Sequence, residues 1–302
     1  MSTSPESRKE HPSTYFVQDR SSEAELARLE VQDQMFTTSM GGVLPEQPDS
    51  LRLQRVLDVG CGTGNWLIKV AQEHPEIKIL IGVDASGLMV HYAREQAEAQ
   101  GVSERVEFHV MDALRMLEFP SNFFDLINQR LGDSYLRTWD WAKLLQEYQR
   151  VIQPGGVIRI TEYDMLPASS GPAYTRFTQM FAQAFYQAGH LFTPQGDGEA
   201  SQIVQLLKQC GLQQVETCTY ALEYSAGTPE GQSWQENSKH FLRTIAPFLR
   251  KWGRVPDDYE VLYQQALEEM RQPDFVTTLR LFTAWAHTTH KSKQPLSSLD
   301  DR

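Results

Sequence analysis

A chain of 302 residues, 40% of them hydrophobic, is long enough for one large domain or for a core domain with sizeable insertions. Its 39 acidic and 28 basic residues leave a net charge of -11 and a pI near 5.2, which opposes a broad nucleic-acid or anionic-membrane surface and favours a small or neutral substrate. The three cysteines, Cys61, Cys210 and Cys218, lack paired metal-ligand spacing and are too few for a disulfide framework, so reduced thiols and no bound metal are expected.

Residues 1–11 are polar and charged without the apolar segment of a signal sequence, and no later run reaches the length of a membrane span. A cytoplasmic protein with no membrane or nucleic-acid partner is expected. Tyr15-Phe16-Val17 forms an apolar patch ahead of a predicted helix, which Ser22-x-x-Glu25 opens as a capping box and Gly41-Gly42 stops. Leu26, Leu29, Phe36 and Met40 can share one of its faces. Pro45 to Ser50 is a polar connector, so an arm and helix over 1–50 precede the main domain at 51–290, and a mobile tail follows at 291–302.

Val56-Leu57-Asp58-Val59 then runs into a turn containing Gly60, Gly62 and Gly64, followed by a predicted helix from Asn65 to His74. Glycines at such a turn permit positive φ and close approach of a ligand, while the N–H groups opening the next helix present donors. The G-x-G-x-G spacing departs from the G-x-G-x-x-G of a dinucleotide turn, whose last glycine would stand at Asn65. Asp58, inside the strand, would repel a pyrophosphate but suits a ligand that has an amino group and no phosphates. S-adenosylmethionine is such a ligand. Val56 to Gly64 resembles, almost letter for letter, the first motif of the class I S-adenosylmethionine-dependent methyltransferases.

Ile77 to Asp84 reads as strand two, and an acid closing that strand points at ribose hydroxyls in a Rossmann-type arrangement, the role expected of Asp84. Ser86 caps the next helix, which ends at Gly101. Val106 to Val110 is strand three. In the methyltransferases the acid after it accepts from the adenine amino group while an apolar neighbour packs on the ring, and the resemblance gives these roles to Asp112 and Ala113. Phe123 to Arg130 reads as strand four, Trp139 to Ile152 as a helix stopped by Gln153-Pro154-Gly155-Gly156, and Val157 to Tyr163 as strand five. Arg130 after strand four and Glu162 closing strand five resemble a microbial and fungal natural-product subgroup that includes the LaeA-like methyltransferases. The likeness is strong over 51–165 and loose elsewhere. The candidate cofactor site comprises Asp58, Gly60, Cys61, Gly62, Gly64, Asp84, Ala85, Asp112, Ala113, Asn128, Gln129 and Arg130.

Beyond Asp164, Tyr174, Phe177, Phe181 and Phe185 fall on one helical face, read first as core, with a wall of a substrate pocket as the alternative. A helix over 199–210, a sixth strand from Leu212 to Tyr224, two helical patterns over 229–251 and 257–271 and a last strand from Phe275 to His287 complete the chain. The expected fold is α/β: a Rossmann-like, doubly wound, mostly parallel sheet of seven strands with the last antiparallel, carrying helical cap insertions at about 166–198 and 228–272 over its ligand-bearing end. The resemblance also implies that the N-terminal helix, within 13–42, is a lid.

The activity it implies is methyl transfer from S-adenosylmethionine to a small molecule by in-line displacement. Aromatic residues in the variable parts, including Trp234 and Phe241, point to a flat or apolar, natural-product-like acceptor. His190, Glu162, Tyr15 and Tyr163 are candidate bases or orienting groups. Asn128-Gln129-Arg130-Leu131 stands where methyltransferases of nucleic-acid bases carry N-P-P-Y or D-P-P-Y, which disfavours such a substrate. A cofactor-binding regulatory protein without turnover remains the alternative, and monomer and homodimer both remain open.

Overall fold

The computed structural model describes residues 15–16, 23–47, 52–212, 214–253 and 255–288. In chain order the elements are α1 (Glu23–Ser39), β1 (Arg55–Val59), α2 (Asn65–Glu73), β2 (Ile79–Asp84), α3 (Gly87–Ala99), β3 (Val106–Val110), β4 (Phe124–Arg130), α4 (Trp141–Val151), β5 (Ile152–Ser169), α5 (Pro172–Gln187), α6 (Glu199–Gln209), β6 (Val215–Ser225), α7 (Pro229–Thr244), α8 (Ala246–Trp252), α9 (Tyr259–Glu269) and β7 (Val276–His287). The strands form one seven-stranded sheet in the order β3-β2-β1-β4-β5-β7-β6. The first five run parallel, and β7 lies antiparallel between β5 and β6. This is the predicted Rossmann-like sheet.

β1 is central, with Asp58 level with Gly82 of β2 and Asn128 of β4. Its apolar run is nearly continuous because both faces are covered, as parallel sheets require. Leu57, Val59 and Ile127 pack with Trp141, Leu145 and Tyr148 of α4 and Ile203 and Leu207 of α6. On the opposite face Val56, Leu80 and Leu126 pack with Trp66, Leu67 and Val70 of α2 and Val90 and Ala93 of α3. Two further apolar clusters join α1, α5, α7, α8 and α9 to the far ends of β5, β6 and β7. Those helices cap the carboxyl end of the sheet.

Several boundaries differ from expectation for identifiable reasons. The predicted helix over 229–251 is two helices meeting at Ile245, because Pro247 lacks an N–H and its ring crowds the preceding turn. β5 extends past Tyr163 to Ser169, pairing with β7 through register shifts that accommodate Pro167. The expected capping box lies outside the described residues at Ser22, and the Glu25 carboxylate binds Arg28 and Tyr15. α1 therefore turns Glu25 and Arg28 inward, where both are buried, and leaves Leu26 and Leu29 half-exposed. A 3-10 turn, Gly132–Ser134, follows β4 and was not foreseen. Among the described residues no helix is long and apolar enough to cross a membrane.

Candidate active site

A cavity of about 1380 Å³ lies between the carboxyl ends of the central strands and the cap. Its floor is the glycine turn, which hangs from β2 through Gly60 N and Cys61 N, both donating to Val83 O at 2.9 and 3.0 Å. All three glycines have positive φ, yet they differ in what surrounds them. A Cβ on Gly60 would meet the Tyr135 hydroxyl at 2.6 Å, and one on Gly64 the Phe108 ring at 2.6 Å, whereas Gly62 has open space. The protein's own aromatic rings thus require two of these glycines, and Gly62 leaves room for a ligand. Gly64, expected at the cofactor, does not line the cavity; it begins α2.

Three carboxylates stand at the ends of adjacent strands. Asp84 Oδ2 accepts from Gly62 N at 3.0 Å and Oδ1 from Ser86 N at 2.8 Å, which fixes the carboxylate against the turn. Asp112 Oδ1 accepts from Leu114 N at 2.9 Å, with the Arg115 guanidinium 3.6 Å from Oδ2 at the cavity rim. Asp58 is only 3% exposed, and Oδ1 accepts from Asn128 Nδ2 at 2.8 Å. Burial pushes Asp58 up to about 7, against the opposing pull of Arg130 and the Asn128 bond. Asp58, Gly60, Cys61, Gly62, Asp84, Ala85, Asp112, Ala113 and Arg130 all line the cavity.

Asn128 and Gln129 do not line it. Both are buried in β4 and support the site from behind. Asn128 Oδ1 accepts from Arg159 Nη1 at 2.7 Å, and buried Arg159 pairs with Glu46 at 3.1 Å, which also accepts from the Tyr220 hydroxyl. This chain of charged groups fixes the amide that orients Asp58. Gln129 accepts from the Tyr148 hydroxyl and donates to Glu162 Oε1 at 3.2 Å.

α1 closes the cavity from above. Arg130 reaches it from β4 through an ion pair with Asp33 and a 3.3 Å bond to Thr37 Oγ1. Arg28 holds Glu25 through two 2.8 Å bonds and donates to Gln32 and to Asn237 of α7 at 2.8 and 3.3 Å. Tyr15 lines the cavity with its hydroxyl donating to Glu25 Oε1 at 3.0 Å. Burial pushes that phenol far above its ordinary range, which suits a neutral orienting group and not a phenolate base. Tyr163 also lines the cavity, its hydroxyl accepting from Gln32 Nε2 at 3.2 Å.

The stripe of Tyr174, Phe177, Phe181 and Phe185 faces the cavity and packs in the cap at the same time, so core and pocket wall describe one surface. Phe16, Trp234 and Phe241 continue it. His190 and Glu162 do not reach it. His190 is 1% exposed, with Nδ1 2.8 Å from Leu136 O, and burial pulls it down to about 4, so the ring stays neutral behind the wall. The Glu162 carboxylate does not face the cleft, because it accepts from Gly132 N at 2.7 Å and Asp133 N at 3.2 Å in the 3-10 turn. Asp133 of that turn does line the cavity. The available signal for it was the turn-forming Gly132-Asp133-Ser134 immediately after a strand that ends at the ligand side.

Residues 56–156 match a family model described as a methyltransferase domain. Over 92% of this chain, and 61% of the other, the structure superposes with a TM-score of 0.56 and 20% identity on phosphoethanolamine N-methyltransferase 2 of Haemonchus contortus, solved with phosphomonomethylethanolamine and S-adenosylhomocysteine. The fold is that of the class I S-adenosylmethionine-dependent methyltransferases. Among sequences, phosphoethanolamine N-methyltransferase 3 of Arabidopsis thaliana is 36% identical over 121 residues, 40% of this chain and 23% of that protein. The 27-O-demethylrifamycin SV methyltransferase of Amycolatopsis mediterranei (strain S699) is 24% identical over 262 residues, 87% of this chain and 81% of that protein. The chain thus spans 23% and 32% of the two Arabidopsis phosphoethanolamine N-methyltransferases it matches. Among the described residues no group of three or more His, Cys, Asp or Glu is placed to hold a metal ion.

Proposed function

We propose that the protein transfers a methyl group from S-adenosylmethionine to a small, largely apolar, natural-product-like acceptor, without a metal. The observation that carries this reading is the alignment of Asp58, Asp84 and Asp112 at the ends of three adjacent strands around Gly62, all lining one cavity. The donor set fits the cofactor. Asp84 is placed for the ribose hydroxyls, buried Asp58 for the ammonium, and Asp112 with Ala113 for the adenine, while Gly62 admits the ligand to the main chain. When bound, S-adenosylmethionine supplies a methyl carbon whose bond to sulfur breaks, with the electron pair staying on sulfur, as the acceptor attacks in line. The chain's own contribution is alignment and exclusion of water by α1 and the aromatic cap.

Two observations narrow the acceptor. The described cations lining the cavity are Arg28, Arg115 and Arg130; Arg28 and Arg130 are each bound to a carboxylate, and Arg115 sits beside Asp112 at the rim. That arrangement offers a phosphate little and suits a neutral molecule. The cavity of about 1380 Å³ also exceeds the roughly 300–1000 Å³ of a typical single-ligand site, leaving room for an acceptor beside the cofactor. This favours turnover over a purely regulatory cofactor-binding protein, and the 87% coverage by the rifamycin-methylating relative supports an acceptor of natural-product type. Calorimetry with S-adenosylmethionine, S-adenosylhomocysteine and NADH, with and without a chelator, tests the cofactor. Labelled methyl transfer to a panel of hydroxylated polycyclic compounds and to phosphoethanolamine tests the acceptor. Binding of NADH and of neither sulfur ligand would overturn the reading.

A further inference from the structure

We propose that Asp133 is the proton acceptor for the group that is methylated, with Glu162 as its positioning residue, so that the acceptor is a hydroxyl compound such as a phenol or enol. The proposal rests on the methyltransferase reading above. Its basis is a second acid cluster, separate from the three carboxylates assigned to the cofactor.

Asp133 is the middle residue of the 3-10 turn after β4 and lines the cavity although only 9% exposed. Glu162, on β5, holds that turn from behind through its main-chain N–H groups. Glu162 is buried, with Oε1 accepting from Gly132 N at 2.7 Å and Gln129 Nε2 at 3.2 Å, and Oε2 from Asp133 N at 3.2 Å. The turn is built to hold this pair. Leu131 enters it at φ +53°, in the left-handed region, and a Cβ on Gly132 would stand 2.0 Å from Gln129 Nε2. Loops that are merely connections have no need of such constraints.

Two neighbouring buried carboxyls ionise one at a time. Glu162 is held well above the usual carboxylate range by burial and then by the charge of Asp133, so Asp133 is the member of the pair that ionises first. Asp133 is pushed up to about 7 by burial, while the Ser134 N–H pulls the other way. Among the described residues, the groups packed around the pair do not supply a competing cation. Tyr163 of β5 is neutral, as is Tyr148 of α4 beyond Gln129; His190 is held neutral between α5 and α6; and Glu199 of α6 is itself pushed up to about 7. Asp133 is thus the cavity carboxylate able to take a proton near neutral pH without already serving a cofactor group. As the acceptor oxygen forms its bond to carbon, the O–H bond breaks, its electron pair stays on oxygen and the proton passes to the Asp133 carboxylate, which later releases it to solvent.

The test uses the full chain saturated with S-adenosylhomocysteine and three probes: 1-naphthol, naphthalene and 1-naphthylmethylammonium. Wild-type affinity for 1-naphthol should rise about tenfold as pH climbs through about 7, before the phenol itself ionises, because a carboxylate accepts the hydroxyl better than a carboxylic acid does. Naphthalene should show no such rise. Asp133→Asn should lose the rise and bind 1-naphthol about tenfold more weakly above it. Glu162→Gln, which keeps a side-chain oxygen to accept from the turn's N–H groups, should preserve the rise, and Glu162→Leu, which lacks one, should flatten it; melting curves and S-adenosylhomocysteine affinity report whether each variant is folded. No binding of 1-naphthol, a pH-independent affinity, or an Asp133→Asn profile like wild type overturns the proposal. Tighter binding of 1-naphthylmethylammonium than of 1-naphthol makes Asp133 an ammonium anchor and overturns it too. If S-adenosylhomocysteine does not bind the wild type, the cofactor reading fails instead.

Discussion

Asp84 is fixed by the N–H groups of Gly62 and Ser86, and in the proposed function that fixed carboxylate receives the ribose diol. Asp84→Ala should therefore weaken S-adenosylmethionine binding by roughly 1.5–3 kcal/mol, the range for charge-assisted hydrogen bonds, and leave the fold intact. Glu95→Ala is the control, since it removes the same charge from a side chain 60% exposed on α3. Equal losses in calorimetry would assign the effect to net charge and not to Asp84. Arg28 and Glu25 pose the opposite problem, a buried ion pair whose two members depend on each other. Arg28→Met leaves the Glu25 carboxylate buried and uncompensated, at a cost of about 3–5 kcal/mol in urea unfolding, and adding Glu25→Leu should recover most of it. The strand-end acids were legible in the sequence because the run before each one fixes where it must stand. Glu25 and Arg28 were not. A charge pair three residues apart looks the same on a solvated face, and what turns it inward is contact with Asn237, 209 residues away. Arg159 was hidden likewise, as a charge inside a strand whose partners Glu46 and Asn128 come from distant segments.

At the scale of elements, α1 is tied to the body of the protein mainly by polar contacts. They run from Glu30 to Tyr92 of α3, from Gln32 to Tyr163 of β5, from Asp33 and Thr37 to Arg130 of β4, and from Arg28 to Asn237 of α7. Its buried apolar side chains are few, chiefly Met35 and Phe36, so it should open locally at less cost than the central sheet. Hydrogen exchange of Glu23–Ser39 should slow on cofactor binding, because a ligand beneath the helix must be released before the helix can open fully. Identical exchange with and without cofactor would show that α1 is fixed packing and not a lid. The elements of the sheet were legible from their apolar runs and glycine stops. The cap was less so, since Pro247 splits one apparent helix and the 3-10 turn is too short to leave a periodic signal. The aromatic face of α5 was visible as a pattern, but only the cap above it decides that the same side chains are both core and wall.

Across the whole molecule, a sheet with a net-acidic sequence encloses several carboxyl groups whose ionisation is opposed by burial. Asp58, Asp133 and Glu199 are each pushed up to about 7, from ordinary values of about 4. Between those values the folded protein holds protons that the unfolded chain has released, so stability falls as pH rises through that window and levels off above about 7. The ligand-free melting temperature should decline accordingly from about pH 5 to about pH 8, with self-repulsion at a net charge of -11 acting in the same direction. The cofactor separates the two causes. In the proposed site the cofactor's ammonium stands beside Asp58, where it would favour the ionised form, return the pKa toward the ordinary range and remove that group's share of the loss. The rise in melting temperature produced by saturating S-adenosylhomocysteine should consequently be larger at about pH 8 than at about pH 5. In Asp58→Asn the ligand-free decline should persist in part, through Asp133 and Glu199, while the cofactor-induced rise becomes smaller and independent of pH. A rise that is the same at every pH in the wild type would mean that Asp58 does not hold the cofactor's ammonium.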